Sequence, residues 1–126
     1  IEEPKNESLL IKPALEGTMR ALNASKNSSK VKKFILTSSM ATIAYGHDKD
    51  LCTPEDWTDL TKNVGSYVKS KTIAEKAAWD FIHSDNEHSF SMTTIHPGMV
   101  FGPLLSEDIS EATAEPSRSI STPALA

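Results

Sequence analysis

Cysteine is almost absent from this chain of 126 residues. Cys52 stands alone, so no internal disulfide can form, and a reducing, cytoplasmic setting is the expectation. Positive charge is scarce as well. Thirteen Lys and Arg against 17 Asp and Glu leave a net charge of -4, which argues against the basic stripe that a nucleic-acid partner requires. No apolar run approaches the roughly 20 residues that cross a bilayer, and no signal-like segment opens the chain, so no membrane partner is expected. The four histidines, His47, His83, His88 and His96, form no zinc spacing with Cys52, and no metal is expected. Glycine is sparse, and nowhere do the five glycines group into the turn that holds a pyrophosphate at a helix N-terminus.

Periodic apolar spacing is what the chain does offer. Leu15, Met19 and Leu22 recur at helical intervals between Ser8 and the polar run Ser25 to Lys30, which predicts an amphipathic helix over residues 8–25. Pro13 falls near its first turns, where a missing amide hydrogen is best tolerated. Residues 31–37 read as a strand whose apolar centre, Phe34-Ile35-Leu36, suits a parallel sheet covered on both faces. A long loop follows to Ser66, punctuated by Tyr45-Gly46 and Pro54, with Trp57 as its anchor. Residues 67–84 form a second helix and 91–95 a second strand, which Pro97-Gly98 closes. Strand, loop, helix, strand is the order of a crossover unit in a parallel sheet, so the fold class is α/β. Ligands of such sheets gather at the carboxyl ends of the strands, and Ser39 and Pro97 both fall there.

Chemistry concentrates on one helix. Tyr67 and Lys71 are four residues apart, hence on one helical face, and Tyr67 follows Ser39 by 28 positions. A free phenol titrates near pH 10 and is a poor acid at neutral pH, but an adjacent cation favours the phenolate. Reduction of a carbonyl also needs a donor to the developing alkoxide, and a serine at the exit of a buried strand is placed to share that task.

At these residues the chain resembles the extended short-chain dehydrogenase/reductase family, the NAD-dependent epimerase/dehydratase-like proteins, whose active site is a Ser, a Tyr and a Lys in a Tyr-x-x-x-Lys arrangement. Ser38-Ser39 upstream, Ala74-Glu75-Lys76-Ala77-Ala78-Trp79 downstream and His96-Pro97-Gly98-Met99-Val100-Phe101-Gly102-Pro103 after the next strand carry the likeness. It is most similar to the branch of dihydroflavonol reductases, cinnamoyl-CoA reductases and fungal methylglyoxal and aldehyde reductases, over residues 4–105. The resemblance implies part of a Rossmann-like doubly wound parallel sheet, residues 1–105 forming the second half of an NAD(P)-binding domain. It gives the catalytic roles to Ser39, Tyr67 and Lys71, with Ser38 as the substitute donor and otherwise a neighbour of the cofactor. Ser38, Tyr67, Lys71, Pro97, Gly98 and Val100 then contact the dinucleotide, Pro97 and Val100 near the nicotinamide carboxamide. The implied cofactor is NADP, with NAD as the alternative.

The implied activity is NAD(P)H-dependent reduction of an aldehyde or ketone to an alcohol. Ala44, five residues past Ser39, replaces the polar side chain that dihydroflavonol reductases present to flavonoid hydroxyls, which favours a small carbonyl substrate. Two other readings share the fold: a sugar-nucleotide epimerase or dehydratase, and a non-catalytic dinucleotide-binding protein. Starting at Ile1 and lacking a phosphate-binding turn, the chain reads as an internal piece of a longer enzyme, inactive alone. Residues 106–126 carry only Ile109, Ile120 and Leu125 as large apolar side chains and read as a poorly ordered or divergent tail.

Overall fold

The computed structural model describes residues 4–84, 87–101 and 113–114. The chain divides into two compact units, Glu2–Pro97 and a second made of Gly98–Ala126 with Ile1. In the first, helix α1 (Ser8–Lys26), strand β1 (Lys33–Thr37), helix α2 (Ser66–Ser84) and strand β2 (Ser91–Ile95) follow in order. In the second, two residue pairs run parallel, β3 (Val100–Phe101) against β4 (Thr113–Ala114). Apart from Thr113 and Ala114, the segment expected to be a tail lies outside the described residues.

α1 begins where Asn6 takes over the capping that Glu7 does not provide: Asn6 Oδ1 accepts the Ser8 amide at 3.0 Å. Pro13 lies inside the helix. Its missing N–H frees the Leu9 carbonyl, and because Leu9 is an exposed residue, water can satisfy that oxygen. Glu7 reaches across to Lys69 of α2 at 2.7 Å, joining the starts of the two helices.

β1 and β2 pair in parallel, from Lys33 opposite Ser91 to Thr37 opposite Ile95. A parallel pair needs a long crossover, and the loop and α2 supply it. Alternation sorts the side chains. Phe34, Leu36, Met92 and Thr94 point inward, while Ile35 and Ile95 are left largely exposed. Leu22 and Met19 of α1, Ala78, Trp79, Phe81 and Ile82 of α2, and Phe90 before β2 complete the core against that inner face. Phe34 and Phe90 meet with ring centroids 5.9 Å apart. Full burial of one such aliphatic or aromatic side chain stabilises by about 1.5–3 kcal/mol. The sequence suited a sheet covered on both faces; within the described residues both helices lie on one face, so the other stays open.

The loop between β1 and α2 is held at two neighbouring residues. Trp57 does engage α2, with Lys76 Nζ 5.1 Å from its ring centroid. Its neighbour Thr58 does more. Buried at 2% exposure, Thr58 donates its amide to Thr42 O and its hydroxyl to Ala41 O, and its Oγ1 accepts the Tyr45 amide. A 3-10 turn over Met40–Thr42 is thereby locked against the second half of the loop. No helix among the described residues is long and apolar enough to cross a membrane.

Two glycines in this unit should respond oppositely to alanine. Gly46 has φ +81, and an added Cβ would lie 2.8 Å from the Asp59 carbonyl oxygen, so Gly46→Ala should cost about 1–3 kcal/mol. Gly17, in the exposed middle of α1, has nothing within 4 Å, and Gly17→Ala should add about 0.5–1 kcal/mol through helix propensity. Urea unfolding of the two variants checks the signs, and a gain for Gly46→Ala would contradict this account of the loop.

Candidate active site

The carboxyl ends of β1 and β2 stay joined after the strands finish. Ser38 donates its amide to Ile95 O at 2.8 Å, and Met40 donates to Pro97 O at 3.0 Å. These two bonds set Ser38-Ser39 beside His96-Pro97. Ser39 is extended, φ -161 and ψ 150, and its Oγ accepts the Ala41 amide at 3.1 Å, capping the 3-10 turn. Accepting that bond leaves the Ser39 hydroxyl hydrogen available for another acceptor. Ser38 is different: its side chain is buried and its hydroxyl is given to Glu75 Oε2 in a short hydrogen bond.

α2 brings the other functional groups. Its start follows Gly65, whose φ of +83 is a conformation that side chains resist. Tyr67 stands in the first turn with its side chain well exposed. Lys71, one turn later, reaches back to the end of β1, its Nζ 3.4 Å from Thr37 O. Lys71, Ser38 and Glu75 line a cavity of about 130 Å³ that Ala14 and Thr18 of α1 help to close.

Glu75 is the centre of the polar contacts. Besides Ser38, its carboxylate meets His96, whose Nε2 lies 2.8 Å from Oε1. Burial pushes this carboxyl up, but hydrogen bonds from the Ser38 hydroxyl and from His96, with the attraction of His96, hold it below the usual carboxylate value. The sequence offered Glu75 only as part of the Ala74–Trp79 likeness and His96 only as the first residue of the His96–Pro103 likeness. A signal existed: Glu75 follows Lys71 by one turn and is flanked by Ala74 and Ala78 on the buried side of α2. A buried carboxylate needs partners.

Gly98 and Val100 belong to the second unit, where Val100 is exposed and pairs with Thr113. On another flank of α2, a hollow of about 590 Å³ is lined by Trp57, Lys76, Trp79 and His83, among others, and contains none of the predicted residues. Trp79 and His83 stack there at 5.7 Å. His88 bonds Phe90 O and Ile82 O and so closes the turn between α2 and β2. Among the described residues no three His, Cys, Asp or Glu side chains gather as metal ligands.

Ser39 and the Lys71 ammonium thus lie at the carboxyl end of β1, the end at which parallel sheets bind ligands. Comparison with known proteins points the same way. A cinnamoyl-CoA reductase of Medicago truncatula is 40% identical over 121 residues, covering 90% of this chain and 36% of that protein. The structure of Gre2 from Candida albicans in complex with NADPH matches with a TM-score of 0.72 at 36% identity, over 82% of this chain and 34% of that one. Yeast methylglyoxal/isovaleraldehyde reductase Gre2 complexed with NADPH matches with a TM-score of 0.70 at 32% identity, over 82% and 34%. The chain spans about a third of the length of these relatives. Its strands and helices are part of a Rossmann-like α/β dinucleotide-binding fold. The model of the 3-beta hydroxysteroid dehydrogenase/isomerase family matches residues 3–117, and the chain belongs to that family.

Proposed function

We propose that this chain is the segment of an NADPH-dependent carbonyl reductase that carries its proton-transfer site, with residues 1–105 as the second half of the dinucleotide-binding domain. NADPH supplies the hydride when bound. Tyr67 gives the proton to the carbonyl oxygen, Ser39 donates a hydrogen bond to the same oxygen as negative charge develops, and Lys71 favours the phenolate that remains. The products are an alcohol and NADP⁺. Ser38 and Pro97 would flank the nicotinamide.

The observation that carries this reading is the division of labour between the two serines. Ser38 has committed its hydrogen to a buried carboxylate, whereas Ser39 accepts at its oxygen and keeps its hydrogen to donate. Ser39 is therefore the donor. Lys71 supports the assignment, because its reach to Thr37 O keeps its ammonium at the same end of β1. A half-buried cation beside strand ends also suits the ribose and nicotinamide end of a dinucleotide. The matched Gre2 structures hold NADPH, and one of them is a methylglyoxal/isovaleraldehyde reductase, which favours NADPH over NADH and a small aldehyde as substrate.

In the full-length protein, Tyr67→Phe should lower kcat by about 100- to 10,000-fold, the usual contribution of a general acid, while the KM for NADPH changes little. NADPH consumption with methylglyoxal or isovaleraldehyde measures both, and turnover unaltered in the variant would remove the central assignment. Lys71→Met keeps the stem and deletes the charge. It should reduce kcat/KM by roughly 100-fold and weaken NADPH binding as well. Calorimetry and initial rates together test this; if both match wild type, Lys71 is a surface lysine.

A further inference from the structure

The functional reading uses Ser39, Tyr67 and Lys71 and leaves unexplained the one buried carboxylate among the described residues. Glu75 is only 3% exposed. Its Oε2 takes the hydroxyl of Ser38 at the end of β1, and its Oε1 meets His96 Nε2 just past β2. Three elements far apart in sequence therefore end on one side chain. The groups they hold are neighbours of the proposed machinery: Ser38 precedes Ser39, His96 precedes Pro97, and Lys71 is one turn from Glu75 on α2.

Hydrogen bonding at this point is specific in direction. An ionised carboxylate accepts and cannot donate, so His96 must carry its hydrogen on Nε2. Ser38 and His96 are then two donors converging on two acceptor oxygens. The titratable groups that face Glu75 are His96, from the segment after β2, and Lys71, from its own helix across the small cavity; α1 contributes only Ala14 and Thr18, and β1 with its following turn contributes Thr37, Ser38 and Thr42.

We propose that Glu75 is the positioning residue of this site, its carboxylate clamping Ser38 and His96 so that Ser39, Lys71 and Pro97 keep their places around the reacting carbonyl. The proposal rests on the carbonyl-reductase reading. It explains why a carboxylate is buried on this helix: packing alone needs no charge there, whereas alignment of two strand ends needs a rigid acceptor with two oxygens. Misplacement of a reacting group by about 1 Å costs on the order of 100-fold in rate.

The test uses the full-length reductase with NADPH and isovaleraldehyde and compares Glu75→Gln with Glu75→Ala. Glutamine keeps the shape but turns an amide N–H toward one of the two donors. We expect kcat to fall about 10-fold for Gln and about 100-fold for Ala, with the KM for aldehyde within about threefold of wild type. Nitrogen NMR of the His96 imidazole should show the Nε2–H tautomer in wild type and a changed tautomer population in Glu75→Gln.

Acid unfolding supplies a reading independent of turnover. The Glu75 carboxyl is held below its ordinary 4.5, so its ionisation adds stability that is present above about pH 4.5 and lost as pH falls further. Asp56 and Asp59, also held low by their hydrogen bonds, contribute in both proteins and cancel in the difference. The advantage that the Glu75 charge gives wild type over Glu75→Gln should therefore diminish as pH falls below about 4.5.

A Glu75→Gln enzyme with wild-type kcat overturns the proposal even if Glu75→Ala fails to fold, and so does a wild-type His96 protonated on Nδ1 alone. An acid-unfolding difference that does not vary with pH overturns it too. Wild-type protein that oxidises no NADPH with any small aldehyde instead overturns the carbonyl-reductase reading, and the clamp falls with it.

Discussion

Parallel pairing of β1 with β2 is the constraint from which the rest of this unit follows. Two strands running the same way cannot be joined by a tight turn, so the chain must leave the sheet, travel back and re-enter. α2 makes that return on one face, and α1 packs beside it over the same core. Both carboxyl ends then emerge at one edge, level with each other, because the register sets Thr37 opposite Ile95. The backbone bonds from Ser38 to Ile95 and from Met40 to Pro97 extend that register past the strands themselves. A one-residue slip would turn every inward side chain outward and separate the serines from His96-Pro97.

Polar contacts at that edge work against a cost. Removing a carboxylate from water is unfavourable by several kcal/mol unless hydrogen bonds replace the lost solvation. Glu75 receives them from Ser38 just past β1 and from His96 just past β2. The same low-dielectric surroundings that make an unpaired carboxylate expensive also strengthen the bonds it does make. A satisfied buried network of this kind fixes geometry, while a half-satisfied one would favour rearrangement. Surface ion pairs such as Lys12 with Glu16, or Arg20 with Glu16, carry no comparable constraint, being exposed and screened.

The sheet is also unequal on its two sides. Phe34, Leu36 and Met92 meet helices, whereas Ile35 and Ile95 face outward with half or more of their surface exposed. Parallel sheets in α/β proteins carry helices on both faces. Relatives about three times as long, and an uncovered apolar face, agree with the proposal that this chain is one segment of a larger reductase.

Local rules were enough for the elements. The spacing of Leu15, Met19 and Leu22 marks α1, the Phe34-Ile35-Leu36 run marks β1, and the Tyr67 to Ser84 pattern marks α2, because burial of a repeating face is a short-range property of sequence. Those elements appear close to the expected bounds. Family likeness at Ser38-Ser39, Tyr67-Lys71 and His96-Pro97 was equally legible, since those residues lie in short contiguous motifs. Thr58 was not, because a threonine among polar loop residues signals nothing until the chain folds back and Ala41, Thr42 and Tyr45 present their backbone to it. Nor was the Glu75 clamp: Ser38 and Glu75 are 37 positions apart and Glu75 and His96 are 21 apart, so only the tertiary fold brings their atoms together. Residue order alone assigns residues to the faces of helices and strands and supplies their chemistry. Tertiary structure decided which serine spends its hydrogen on a buried carboxylate and which keeps it, because hydrogen-bond partners are set by distance in space, and the chain order does not encode that distance.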